Sequence, residues 1–133
     1  MSIKVLLDES ILNSVKESLG IPIDYEHFDS QIKLHLNSVM AILPQIGVGP
    51  KEGFYVADDQ TTWGDLLGDC ENVNKLLYVK SYVALRVRLL FDPPSSSSVT
   101  DAVERSMREL EWRITVTDDP VVGEEGSDDT TGS

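Results

Sequence analysis

The sequence predicts a mainly α-helical fold: a small bundle of about four helices, a short irregular or hairpin excursion between the second and third, and an extended acidic C-terminal tail. Three observations predict it. Apolar residues recur at helical spacing in four separate stretches. That period disappears between Gly47 and Asn74. After Ile114 the chain offers acids, Gly, Ser and Thr, and almost nothing to bury. The chain therefore divides into a helical domain over residues 1–117 and a tail over 118–133, within a length that supports one core.

Asp8 is the expected cap of an opening helix whose Ile11, Leu12, Val15 and Leu19 share a face, with Gly20 ending it. Ile21, Pro22 and Ile23 form an extended connector. Asp24 is the expected cap of a longer helix with Phe28, Ile32, Leu36, Val39, Leu43 and Ile46 in line, tightened near Pro44 and closed by Gly47 and Gly49. His35 falls on that face as a core or boundary histidine, since it has no companion ligand or base. In the excursion, Gly53–Val56 and Gln60–Trp63 flank Ala57–Asp59 as a possible hairpin. Alternatively, Thr62 caps a short turn through Leu67 with Asp65 in its first turn. Trp63 is the expected structural plug between this excursion and the helices.

The long third helix, LLYVKSYVALRVRLL from Leu76, carries two apolar stripes. One holds Leu76, Val79, Val83, Val87 and Leu90. The other holds Tyr78, Tyr82, Leu85 and Leu89, bordered by Arg86. A helix at the rim of a monomer needs one stripe, so the second requires either a central place in the bundle or another subunit. The turn Phe91, Asp92, Pro93, Pro94 stops the helix, because the prolines lack amide donors and disfavour helical geometry at Asp92. Ser95–Ser98 offer N-caps for a last helix that buries Val99, Val103, Ser106, Met107, Leu110 and Ile114. Its other face is laced with the pairs Asp101–Arg105, Glu104–Arg108, Arg105–Glu109 and Glu109–Arg113. Trp112 lies on that charged face, where a monomer gains little from a large aromatic.

Composition excludes several functions. The net charge is −12, with six acids and no Lys or Arg after residue 117; the body holds 17 acids against 11 bases. Nothing resembles the basic patch that holds phosphates, so a grip on nucleic acid is not expected. No stretch reaches membrane-spanning length, and charge interrupts the apolar run of the opening residues, unlike a signal peptide. The single Cys70 excludes an internal disulfide, fits a reducing compartment and argues against a zinc site. Asp24, Glu26, His27 and Asp29 have metal-binding composition but the spacing of no known motif. Gly47 and Gly49 form a lone GxG in the wrong context for a phosphate cradle, and no nucleophile elbow or dinucleotide fingerprint occurs. No catalytic, cofactor-binding or metal residues are assigned, and no enzyme is expected. The residues describe an acidic helical assembly module, with a scaffold domain that binds a basic partner as the alternative reading.

The segment Leu76–Arg113, with LRVRLLFDPP at its turn and RELEWR at its end, resembles the head–tail connector (adaptor or head-completion) proteins of long-tailed bacteriophages. Leu19, Gly20 and Ile21, Phe28 and Asp29, and Trp63 ahead of the long helix extend the resemblance over roughly residues 3 to 117. It implies a non-enzymatic ring, commonly dodecameric, beneath the portal protein in the virion neck, assembled first in the host cytoplasm. Such a ring extends the DNA channel, helps retain packaged DNA and receives the stopper or tail-terminator protein. DNA passes without sequence-specific binding, and neither membrane nor cofactor is involved. On this reading Tyr78, Tyr82, Leu85, Arg86, Leu89, Arg105, Arg108 and Trp112 are subunit or partner contacts. Three readings of the tail compete: a free solubilising segment, which composition alone favours, an anionic channel lining, and a portal-docking arm, which the resemblance implies. Its aliphatic pair, Val121 and Val122 after Pro120, would add a short strand to the portal.

Overall fold

The computed structural model of the chain describes residues 2–117. The expected tail, with Pro120, Val121 and Val122, lies outside the described residues. The described chain runs α1 (Ile3–Leu7), α2 (Ile11–Ser18), α3 (Asp29–Met40), a 3₁₀ turn (Leu43–Ile46), α4 (Trp63–Leu67), α5 (Val73–Phe91) and α6 (Ser97–Thr117). The mainly helical class is as the periodicity implied. Helix α5 is central: it packs most extensively on α6, then on α3, and also on α2.

Two starts differ from expectation. The cap of α2 is Ser10, which is extended and accepts from the Asn13 amide through Oγ; Asp8 instead closes α1 in αR geometry. An N-cap needs extended backbone, and α1, too short to announce itself by periodicity, removes Asp8 from that role. Helix α3 begins at Asp29 after Phe28, not at Asp24. The carbonyl of Ile23 accepts from Lys16 Nζ at 2.8 Å, which ties the connector back to α2. Gly20 sits at φ +78°, the left-handed conformation a helix C′ position requires.

The hairpin does not form; among the described residues there is no strand, only an isolated bridge between Ser10 and Thr62. The Asn37 side chain takes the place of a partner strand. Its Oδ1 accepts from the Val56 amide at 2.7 Å, its Nδ2 donates to the Val56 carbonyl at 3.0 Å, and Val56 is buried. The alternative reading holds instead. Thr62 Oγ1 accepts from the Asp65 amide at 3.1 Å while Asp65 Oδ2 accepts from the Thr62 amide at 2.9 Å, a complete capping box.

Trp63 is buried at this junction. Its indole N–H donates to Ser14 Oγ at 3.1 Å, and its amide donates to the Glu9 carbonyl at 3.1 Å. The Ile11 amide in turn donates to Thr61 at 3.0 Å, so the excursion and the start of α2 are laced together. Gly64 allows α1 to approach closely, since a Cβ there would lie 3.2 Å from the Leu7 carbonyl oxygen.

Candidate assembly surfaces

The α5–α6 hairpin positions most of the expected interface residues. Asn72 opens α5 by accepting from the amides of Asn74 and Lys75, and Asp92 ends it at φ −144° ahead of Pro93 and Pro94. Phe91 packs edge-on against Phe28, with ring centroids 5.4 Å apart, and so ties the elbow to the start of α3. Ser96 caps α6 by accepting from the Val99 amide.

Both stripes of α5 are used within the chain. Leu76, Val79, Val83 and Val87 are buried, but Leu90, in the last turn before the elbow, is exposed. On the second stripe Tyr82 is completely buried, so it has no surface left for a neighbouring subunit; Tyr78, Leu85 and Leu89 are half-covered. The Tyr82 hydroxyl donates to Glu111 Oε2 at 2.6 Å and accepts from Arg86 Nε at 2.8 Å. Arg86 also lies 3.6 Å from the Glu111 carboxylate. Glu111 was not identified from the sequence; its place directly before Trp112, on the edge of the charged face, was the available signal.

Burial, then the hydrogen bond to Glu111, push the Tyr82 phenol up from 10.0 to about 12, against the opposing pull of Arg86. The folded state therefore holds the neutral phenol. Its contribution is complete below pH 10.0 and is lost as pH rises from there toward about 12. Tyr82→Phe is expected to cost about 1–3 kcal/mol at neutral pH, because it removes hydrogen bonds to charged partners. It should also flatten the stability difference between the two pH limits, which chemical denaturation at each pH reads directly.

Helix α6 is less buried than its pattern implied. Met107 and Ile114 are buried and Val103 and Leu110 are half-buried, but Val99 is 49% exposed and Ser106 is exposed. For Val99 the cause is the elbow. Where α5 stops and α6 begins the helices do not close on each other, leaving a groove of about 440 Å³ lined by Leu85, Arg88, Leu89, Pro94, Val99 and Val103, among others. Toward the solvent, Arg113 pairs with Glu109 at 2.7 Å and lies 5.9 Å from the Tyr78 ring centroid. Arg105 and Arg108 are exposed, and Trp112 is 63% exposed.

A second exposed apolar surface was missed. Leu34 and Tyr55 are 67% and 69% exposed, and line a shallow groove of about 280 Å³ with Ser30, Lys33 and Asn37. The signal was present: Leu34 stands off the apolar stripe of its helix, and Tyr55 alternates with inward-facing Val56. The expected boundary character of His35 agrees with its intermediate burial. The acidic cluster near Asp24 disperses, with His27 packing edge-on against Phe28 and Asp29 pairing with Lys16. Among the described residues no group of three or more His, Cys, Asp or Glu is placed to hold a metal ion, and no helix is long and apolar enough to cross a membrane.

Neither the curated proteins nor the solved structures provide a match to the chain. The model of a protein family described as phage connector protein does match, over residues 11–121, a span that contains the whole buried core from Ile11 to Ile114. The chain belongs to this phage connector family, as a structural component of the head–tail junction.

Proposed function

We propose that this connector assembles as a closed ring, dodecameric in the simplest case, beneath the portal protein. There it extends the DNA channel, helps retain the packaged genome and presents a surface to a stopper or tail-terminator protein. Membership in the connector family is the observation that carries this reading. Exposed apolar groups on different elements support it: Trp112 on α6, Leu34 and Tyr55 beside α3, and the groove at the elbow. Head-to-tail association uses unlike patches and closes when the rotation per subunit allows it. A body with 17 acids against 11 bases would also repel DNA, which suits passage without adhesion.

Native mass measurement of the chain, alone and with portal rings, tests the proposal. A cyclic oligomer that forms on portal is expected; a chain that stays monomeric beside intact portal rings overturns it. Trp112→Ala should leave the monomer's stability within about 0.5 kcal/mol, as expected for an exposed side chain. If Trp112 anchors the interface, the same change should weaken each contact by about 30-fold or more, the loss typical of a large interfacial aromatic.

A further inference from the structure

The groove at the α5–α6 elbow has an apolar lining of Leu85, Leu89, Val99 and Val103, with Arg88 and Asp92 as its charged members. The first turn of α6 also opens onto it, through Val99. A ligand that fits would be short and aliphatic to cover the four apolar side chains, with anionic flanks directed to Arg88 and the positive end of α6 and away from Asp92. The chain contains such a segment. Pro120, Val121 and Val122 lie between Asp118 and Asp119 on one side and Glu124 and Glu125 on the other.

Reach decides which copy's segment can bind. Helix α6 ends at Thr117, at the end opposite the groove. At the helical rise, Val99 lies about 27 Å and Val103 about 21 Å from Thr117 along the axis. Val121 and Val122 follow Thr117 by four and five residues, and even fully extended those residues span only about 14–18 Å. The pair therefore falls short of its own groove.

We infer that Pro120–Val122 of one copy seats in the elbow groove of the next, so that the tail is a strap between neighbouring subunits. This rests on the ring reading, and it adds a geometric consequence. All copies in a ring share one height, so α6 must incline toward the ring tangent to bring its C-terminal end to the neighbour's elbow. The resemblance to other connectors directs the tail to the portal; the groove supplies a site of matching chemistry on the connector itself.

The test uses a fluorescent peptide covering residues 117–126 and the chain truncated after Thr117. The truncated chain retains every member of the buried core, Ile11 through Ile114. Saturable binding is expected, weakening as salt rises. Val99→Glu, a change at a half-exposed position compatible with folding, should lower affinity by at least about tenfold by placing a carboxylate where the acidic peptide must dock. Leu34→Glu, at the other groove, should leave affinity unchanged. Absence of binding, binding insensitive to Val99→Glu, or capture of the peptide by portal rings but not by the chain would each overturn the inference. Native mass of the full chain with portal separates the two ideas. Rings formed by the full chain, with no peptide binding by the truncated chain, refute the strap alone, while peptide binding by the truncated chain, with no rings formed by the full chain, refutes the ring.

Discussion

Trp63→Ala is expected to destabilise the chain by about 3–5 kcal/mol, the range for removing a large aromatic from a core. The side chain is 1% exposed and stands where α4, the excursion and α2 meet. Truncation removes its packing and leaves the Ser14 hydroxyl without the indole donor at 3.1 Å. Against a typical total of about 5–15 kcal/mol, one such change brings a small domain close to unfolding. Trp63→Phe should recover most of the loss, because a ring still fills the site and only the hydrogen bond to Ser14 is forfeited, about 1 kcal/mol. Chemical denaturation followed by far-ultraviolet circular dichroism measures both. Equal stability of Trp63→Ala and the parent chain would mean that the plug carries no load.

Asp29→Ala is expected to cost a similar amount, about 3–5 kcal/mol, by isolating a buried charge. Lys16 is 1% exposed, with its Nζ 2.8 Å from Asp29 Oδ1 and 2.8 Å from the Ile23 carbonyl oxygen. The contact with Asp29 is ionic, without the alignment of a hydrogen bond. Without the carboxylate, the buried ammonium keeps one neutral acceptor, the Ile23 carbonyl oxygen. The partner experiment is Lys16→Met combined with Asp29→Ala, which removes the charge along with its counterion. The double variant should be more stable than Asp29→Ala alone, since replacing both ends of a buried pair is often neutral. Additive losses would show that the two residues act independently.

These two side chains also show how far the sequence could be read. Trp63 was legible because an aromatic stands beside a capping box, inside the excursion that leads back to the long helix. Lys16 was not. Its spacing places it next to Val15 on a helix surface, and a lysine is ordinarily solvated there; only the return of the connector through Ile23 encloses it. Asn37 hides in the same way. An amide among apolar neighbours carries no periodic signal, yet it supplies the hydrogen bonds that a strand would have made to Val56. The double stripe on α5 was plain from spacing alone. Which neighbour covers each stripe was not, because the Tyr82–Glu111 contact joins residues on different helices that no local spacing relates. The expected burial of Val99 failed for a related reason: the helical period continues to the start of α6, whereas the packing stops short of it.

The most direct measurement is a particle reconstruction of the neck of virions carrying this chain. The account predicts a single ring of copies between portal and tail, with α6 inclined toward the tangent and residues 120–122 of each copy in the elbow groove of its neighbour. A neck in which this density is absent, or in which the copies lie apart without mutual contacts, would contradict it.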